Sequence, residues 1–294
     1  MKNLVHYKGK IGEFDYDPNI WEISKGYCYD CLKFKNVYVE DLELPKGLIS
    51  CANMFEDCIL PENFTLGDNF DTSNITDMQD MFNNCKLPEG FSLGNNFNTK
   101  NVNTMRYMFT NCQMPRKFTL GDKFDTSNVK DMFSMFENCT MSENFSLGSK
   151  FYTSNVEHMN YMFLNCNFPK DFTLGKKFNT ISVENMVCMF KGCKMPENFT
   201  LGKKFDMWNV ENTASMFSFC KLPEGFTLGD KFDTSSVRDM RHMFYKSILP
   251  EKFTLGEEFI ITDEVETEDM FKDCQMPDSF KEKYKDLILK SQQY

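Results

Sequence analysis

The chain has 294 residues, 41% of them hydrophobic, with 33 Lys and Arg against 43 Asp and Glu and a formal net charge of −10. A hydrophobic share near the globular norm excludes a disordered or collagen-like chain, and the length allows one or two domains. The acidic balance argues against direct binding of nucleic acid and favours a neutral or basic partner. Only three histidines are present, which disfavours histidine-centred catalysis and a histidine-rich metal site, so no cofactor is expected.

The N-terminal residues carry no recognisable targeting signal. Residues 1–8 read MKNLVHYK, with neither an apolar stretch nor a cleavage site of small residues. No run of 18 apolar residues is present that could cross a membrane. We therefore expect a cytoplasmic monomer without membrane insertion, or a cell-surface protein if a leader has been removed. In the cytoplasm the twelve cysteines would be reduced thiols.

Residues 1–59 are predicted to form an N-terminal cap that includes a shortened first repeat, because the open end of a repeat array needs a cover. The segment contains Cys28 and Cys31 in a Cys-x-x-Cys arrangement, followed by Cys51 and Cys58. Four thiolates could hold zinc or act in redox chemistry, but their spacing is not that of a known zinc ribbon. Packed thiols are therefore the preferred interpretation, and no metal ligand or catalytic residue is assigned.

Residues 60–275 repeat with a period of 27. A Phe recurs at this step from Phe64 to Phe253, and a Met-Phe pair, a glycine and a second Phe keep the same step. Eight units follow one another almost without insertions. A period in the range of about 20 to 30 residues with fixed apolar positions predicts a solenoid of leucine-rich-repeat type, right-handed and curved.

The unit from 114 to 140 illustrates the predicted local structure. Phe118 and Leu120 alternate with polar residues, which predicts a short parallel strand with both side chains facing inward. Residues 125–128, Asp-Thr-Ser-Asn, are turn formers whose side chains can bond their own backbone. Apolar residues at every third or fourth position from 129 to 139 predict one or two helical turns.

Residues 276–294 are predicted to close the C-terminal end. Within them, residues 279–290 place Phe280, Tyr284 and Leu287 on one face of an amphipathic helix. This helix would cover the last exposed core positions, as a terminal cap must.

One phrase within the units resembles a known family. Phe-Asp-Thr-Ser-Asn-Val-x-Asp-Met-x-x-Met-Phe-x-x-Cys occurs at residues 124–139 and in close variants at 70–85 and 232–244. It resembles the BspA-like leucine-rich repeats of bacterial surface proteins and mycoplasma lipoproteins, and the likeness extends over most of the chain. The resemblance implies a non-enzymatic binding protein, often an adhesin at the cell surface.

Positions that vary among the units are the candidate binding positions. A side chain that is not needed for packing between units can differ from unit to unit and can contact a partner. The expected concave strand face is uniform, with Thr or Ser before each glycine, so recognition is expected elsewhere. The candidates after the glycine are Lys123, Lys150, Lys176, Lys177, Lys203, Lys204 and Lys231. The candidates on the helical turn are Tyr107, Tyr161, Arg238, Arg241 and Tyr245. Trp208, which replaces a recurring Ser in the turn equivalent to residues 125–128, is a further candidate.

Each candidate group has a plain interpretation beside the functional one. The lysine row is either a solvated face of copied repeats or a basic strip for a phosphate or an acidic partner. Trp208 is a plausible anchor if it is exposed. The last unit is acidic, which is either solubilising cap chemistry or a docking surface for a basic partner. Its acidic candidates are Glu257, Glu258, Asp263, Glu264, Glu266 and Glu268.

Three hypotheses for function remain open. The first is an intracellular inhibitor or adaptor, of phage or mobile-element type, whose acidic end occupies the basic groove of another protein such as a nucleic-acid-handling one. The second is a BspA-like surface adhesin. The third, an enzyme with a site in the cap, has only Cys28 and Cys31 in its favour. We expect a non-enzymatic protein whose partner is another protein.

Overall fold

The computed structural model describes residues 7–10, 39–44, 47–58, 60 and 64–292. Near the N-terminus, strands β1 (Tyr7–Lys10) and β2 (Val39–Glu43) pair in parallel. Near the C-terminus lie two short helices, α1 (Asp278–Lys283) and α2 (Lys285–Lys290). Between them the 27-residue units form a repeat array. No helix in these described ranges is long and apolar enough to cross a membrane.

The repeated apolar positions form one continuous core, as predicted. Phe118 and Leu120 are buried, and so are their copies in neighbouring units. Equivalent Phe rings stack almost parallel from unit to unit, as in the pair Phe109 and Phe136, whose planes differ by 3°. Each unit therefore buries its apolar side chains mainly against its neighbours, which is the reason that a single unit has no core of its own.

The predicted strand at residues 118–121 is wrong. These residues are irregular, and none of the bridges between described units involves them or their copies. The parallel bridges lie elsewhere, one column through Asp131 and its copies and another through Thr140 and its copies. Each bridge joins a residue to the one 27 positions further on, so the repeat step is also the pairing register.

The predicted helical turns at residues 129–139 are wrong too, since the segment is a run of tight turns. The N–H of Cys139 donates to the carbonyl of Phe136 at 3.1 Å, and the equivalent bond recurs in the other units. Ser134 and Asn138 have φ values of 54° and 56°, in the left-handed region, which ends each turn before a helix can propagate. Consecutive turns closed by bonds three residues apart keep nearly the apolar spacing of a helix, so the sequence pattern could not distinguish the two.

Alternate N–H groups of this turn segment bond the next unit. Those of Met132, Ser134, Phe136 and Asn138 donate to the carbonyl groups 26 residues later, at 2.7 to 3.0 Å. The surface formed by residues 131–140 and their copies is called the ladder face below. It takes the place of the predicted sheet, because it satisfies the backbone groups of one unit with those of the next.

The units lie closest together at the ladder face. Rings equivalent to Phe136, just inside it, are 5.3 to 5.8 Å apart. Rings equivalent to Phe118 are 6.0 to 6.4 Å apart. Those equivalent to Phe124 are 6.2 to 6.5 Å apart.

The units therefore fan apart away from the ladder face, which makes this face the inner side of the curve. The expectation of a concave face at the Phe118 segment is wrong for the same reason. Among the described units, the segments equivalent to residues 118–121 have a single backbone bond to a neighbour, from the N–H of Leu66 to the carbonyl of Ser92 at 3.4 Å, whereas the ladder face bonds every unit several times.

Buried threonines join the units where these lie far apart. The Thr180 hydroxyl donates to the carbonyl of Asp206 at 2.6 Å and accepts from the N–H of the same residue at 2.7 Å. The predicted turn chemistry at residues 125–128 is confirmed, since the Asp125 carboxylate accepts from the N–H of Ser127 at 2.9 Å. Met207, which is fully buried, takes the place of this threonine in one unit.

The cysteine column is buried, as predicted, and also has a polar role that the sequence did not reveal. The Cys166 thiol donates to the carbonyl of Phe136 at 2.8 Å, and its copies make the same bond. Where the column carries Ser247, its hydroxyl donates to the carbonyl of Phe217 at 2.6 Å. Burial raises the pKa of these thiols, that of Cys112 to about 12, which keeps the donor protonated.

The C-terminal segment covers the last unit, but as two short helices instead of one. α1 and α2 are separated at Tyr284, whose φ and ψ are −113° and 25°. Phe280 is buried between Phe253 and Phe271, with ring centroids 5.8 and 5.6 Å away, and so continues the aromatic stack. The Tyr284 hydroxyl accepts the N–H of Leu255 at 3.1 Å.

Replacing Phe172 by Ala is expected to lower the free energy of unfolding by about 3–5 kcal/mol, because a fully enclosed ring is replaced by a cavity. Unfolding in denaturant measures the loss, and Thr173→Ala, at the exposed neighbouring position, is the control. A loss below about 1 kcal/mol for Phe172→Ala would contradict the inward placement of this column.

Thr180→Val keeps the shape of the side chain but removes both bonds to Asp206. We expect the free energy of unfolding to fall by about 1–3 kcal/mol, because an N–H and a carbonyl lose their partner. Thr180→Ser keeps the hydroxyl and serves as the matched variant. A larger loss for Ser than for Val would show that the methyl group, and not the hydrogen bonds, gives the column its stabilising effect.

Candidate functional site

The outward side chains of the ladder face vary from unit to unit. Positions equivalent to 133, 134, 137 and 138 point away from the core, while the Met, Phe and Cys positions between them point inward. Because the backbone bonds of the ladder do not depend on these outward side chains, they are free to differ from unit to unit. Two aromatic clusters have formed there.

The first cluster is built around Phe219 and Tyr245. Their rings meet edge to face at 5.4 Å, and His242 lies against Tyr245 at 5.3 Å. The Lys191 ammonium is 5.7 Å from the centre of the Phe219 ring and the Lys246 ammonium is 5.8 Å from it. Within the described part of the chain neither lysine forms an ion pair, so two positive charges flank an exposed ring.

Phe219 occupies a backbone position that disfavours it. Its φ is 59°, in the left-handed region, and its side chain is 49% exposed. The equivalent residues Asn111, Asn138 and Asn165 have the same φ sign and are of a type that tolerates it. The exposed Phe219 ring fills no part of the core, and Phe is less suited than Asn to this backbone position.

The second cluster is made by Tyr107, Phe133 and Tyr161, whose successive ring centroids are 5.2 Å apart. The Arg106 guanidinium lies 4.5 Å from the centre of the Phe133 ring and binds the Asp131 carboxylate at 2.8 Å. Burial lowers the pKa of Arg106, but the bond to Asp131 outweighs it and the net shift is upward. This cluster is charge-compensated, unlike the one at Phe219.

The two predicted arginines of the ladder region differ in availability. Arg241 binds Asp239 at 2.8 Å and Glu266 at 3.0 Å, and these partners raise its pKa. Burial raises the pKa of Asp239, but the hydrogen bonds from Arg241 outweigh this and lower it overall. Arg238 is exposed beside them. Arg241 is therefore engaged within the chain, and Arg238 is free to meet a partner.

The predicted lysine row lies outside the ladder face, on the segments that follow the glycine turns. Lys123 donates to the Asn96 amide oxygen at 2.9 Å, Lys231 binds the Asp206 carboxylate at 2.9 Å, and Lys177 lies 5.0 Å from the centre of the Tyr152 ring. A groove of about 530 Å³ opens at the two central glycine turns. Its lining includes Lys176, Lys203, Lys204, Thr173 and Thr200.

Trp208 lies at the corner between these two surfaces. Its side chain is 64% exposed, and Ile181, one unit earlier in the same column, is exposed as well. The pair presents apolar area away from both the ladder face and the groove.

The acidic unit is partly neutralised within the chain. Asp263 binds Lys290 of α2 at 3.1 Å, and Glu266 binds Arg241. Glu257, Glu258 and Glu264 are exposed, and within the described ranges they form no ion pair. Glu268 is half-buried.

The sequence missed Phe133, Phe219, Lys191 and Lys246. Phe is the commonest core residue of the repeats, so residue type alone does not distinguish the two outward Phe residues from the core ones. The signal was present, because Phe219 falls in the column that otherwise carries Asn, Gly, Asp or Lys.

The cysteines and acidic residues form no assembled metal site in the residues that the structure covers, where no three His, Cys, Asp or Glu side chains are grouped. Ten cysteines within these ranges are free thiols. Cys28 and Cys31, the basis of the zinc and redox alternatives, lie outside the described residues.

Comparison with known families assigns the chain to one of them. The family described as "Mycoplasma protein of unknown function, DUF285" matches residues 49–173, 115–226, 143–248 and 170–285. The chain belongs to this family. The four overlapping matches are what a repeat of about 27 residues produces. No curated protein and no solved structure matches the chain.

Phe219→Asn is expected to raise the free energy of unfolding by up to about 1 kcal/mol, because Asn adopts a positive φ more readily than Phe. Phe219→Ala, which removes the ring but keeps the backbone penalty, should be less stable than Phe219→Asn by a similar amount. Denaturant unfolding of the three proteins measures both differences. If Asn and Ala destabilise equally, the ring stabilises the fold and the argument from strain is wrong.

Proposed function

We propose that this protein is a non-enzymatic protein-binding solenoid, an inhibitor or adaptor that holds its partner against the ladder face at the cluster of Phe219 and Tyr245. The observation that carries the proposal is Phe219 itself, exposed and in a left-handed conformation between two uncompensated lysines. Tyr is among the residue types that dominate binding energy in interfaces, and aromatic residues, Phe included, are enriched there. The concave side of a solenoid is also the surface that repeat proteins commonly use.

The chemistry of the cluster specifies the partner surface. Lys191 and Lys246 attract carboxylates, while the Phe219 and Tyr245 rings offer apolar contact area between them. The complementary surface is an acidic one with an apolar side chain at its centre. Desolvation on binding would strengthen the attraction between the opposite charges.

The state of the thiols supports a role without catalysis. Cys139, Cys166 and Cys193 are buried, and burial raises their pKa well above the ordinary value. A thiol must be ionised and accessible to act as a nucleophile. These cysteines instead donate hydrogen bonds within the core.

We also propose a more specific fold class for the repeat array. The DUF285 match and the 27-residue period support an array of the BspA-like, leucine-rich-repeat type, right-handed in sense. That resemblance favours a second function, a bacterial cell-surface adhesin, over the cytoplasmic inhibitor. Antibody labelling of intact and permeabilised host cells separates the two, since labelling of intact cells requires surface exposure.

A second mode of binding uses the acidic end. Glu257, Glu258 and Glu264 are exposed and unpaired within the described residues, and would suit a basic groove such as that of a nucleic-acid-handling protein. Asp263 and Glu266 are already engaged with Lys290 and Arg241, which leaves this surface less charge than its composition predicts. The ladder face therefore ranks first.

The test compares three variants as bait in capture from host lysate. Phe219→Asn with Lys246→Asn removes the cluster while placing Asn at two positions of positive φ. Trp208→Ser restores the residue that most units carry at this position. Glu264→Lys with Glu268→Lys reverses the charge of these two residues at the acidic C-terminal end. Proteins captured by the parent are identified and their affinities measured with each purified variant.

We expect the cluster variant to lose at least tenfold in affinity, equivalent to about 1.4 kcal/mol, with the corner and acidic-end variants close to the parent. Added salt should weaken binding by the parent, because screening acts over about 8–10 Å at moderate ionic strength. If the cluster variant binds like the parent and one of the other two variants loses affinity, the binding site lies at Trp208 or at the acidic end instead.

A further inference from the structure

We propose that the groove at the glycine turns of Gly175 and Gly202 is an anion-binding site for a ligand that carries two or more phosphate or sulfate groups. The site lies away from the ladder face and does not depend on the proposed protein partner. The groove has a volume of about 530 Å³ and is lined by Lys176, Lys203 and Lys204. Such a volume suits a small molecule.

The positive charge is highest in the two central units, because the units with Lys123, Lys150 and Lys231 carry only one lysine at these positions. The two positions after the glycine carry a pair of lysines only at 176–177 and 203–204. The equivalent positions towards the N-terminal end include Asp122, and those towards the C-terminal end include Asp230 and Glu257. A basic patch bounded by acidic residues, in a chain of net charge −10, defines a local site instead of a general affinity for anions.

The lysines of the groove have no ion-pair partner among the residues that the structure describes. Within the described residues, no carboxylate lies within ion-pair distance of Lys176, Lys203 or Lys204, whereas the neighbouring Lys231 is held by Asp206 at 2.9 Å. Unpaired like charges in adjacent units repel one another. An anion that bridges the two units would relieve this repulsion and gain charge-assisted hydrogen bonds.

Neutral donors are available beside the lysines. The N–H groups of Gly175, Lys176, Gly202 and Lys203 donate to no acceptor in the described part of the chain. The glycines have φ values of 79° and 82°, and a Cβ at either would meet nothing within 4 Å, so the backbone is open to the groove. Exposed amide groups around a residue of positive φ form anion-binding concavities. The ladder face lacks this property, because its N–H groups are used between units.

The repeat step sets the spacing of the anionic groups. The lysine pairs follow Gly175 and Gly202, and the Phe column next to them advances by 6.2 to 6.5 Å per unit. A ligand with anionic groups about one such step apart can bind both units at once, which raises affinity above that for a single phosphate. We therefore expect an oligophosphate or a multiply sulfated small molecule to bind more tightly than inorganic phosphate.

Isothermal titration calorimetry on the full chain, in buffer without divalent metal ions, tests this inference. The probes are inorganic phosphate, tripolyphosphate and sucrose octasulfate, and the last two distinguish a phosphate source from a sulfate source. The groove variant is Lys176→Gln with Lys203→Gln. The matched control is Lys123→Gln with Lys231→Gln, which removes the same charge from lysines that also follow a glycine, one position later and outside the groove.

The expected result is saturable binding of tripolyphosphate or sucrose octasulfate to the parent, at least tenfold tighter than binding of inorganic phosphate. The matched control should bind within twofold of the parent, and the groove variant at least tenfold more weakly. If binding weakens equally in the two variants, the effect comes from net charge alone and the proposal is wrong. The absence of saturable binding to the parent would also overturn it. Melting curves close to that of the parent show that both variants remain folded.

Discussion

The hydrogen bonds between backbone groups at the ladder face are the constraint on which the rest of the structure depends. The N–H groups of Met132, Ser134, Phe136 and Asn138 reach the next unit only because the chain reverses repeatedly, and residues of positive φ produce those reversals. The bonds hold neighbouring units at their closest approach there. Since the core is filled with Phe and Met, whose bulk needs more room than a backbone ladder, the units fan apart towards the other side.

Widening of the array away from the ladder leaves backbone groups that no neighbouring backbone can satisfy. The buried Thr180 hydroxyl and its copies both donate to and accept from the backbone of the next unit. The Cys166 thiol and its copies give the Phe136 column a second donor. Ser247 performs the same task with a hydroxyl, which identifies the shared property of this column as a small buried donor. Buried polar groups without partners cost stability, so these side chains recur in most units.

The period, the core columns and the turn chemistry at residues 125–128 could be predicted from the sequence because each depends on residue type at a fixed step. The kind of secondary structure could not, because tight turns closed three residues apart imitate the apolar spacing of a helix. Positive φ is readable at Asn138, whose type favours it, but not at Tyr107 or Phe219. The lysine row could be recognised because its residues vary among the units. Phe219 could not, because its residue type is also that of the many core Phe residues. The groove needed coordinates, since it depends on the distance between units.

Residues that depart from the repeat are of two kinds, which differ in burial and in backbone conformation. Met207 replaces the threonine equivalent to Thr180 but remains buried, so its departure is absorbed by packing. Phe219 departs towards solvent and at a backbone angle that opposes it, so it costs stability without filling the core. The ladder tolerates this cost because its hydrogen bonds run through the backbone and do not depend on which side chain is displayed. A scaffold of this kind can change its outward residues one unit at a time while every unit remains bonded to the next, which is the property that a binding protein built from repeats requires.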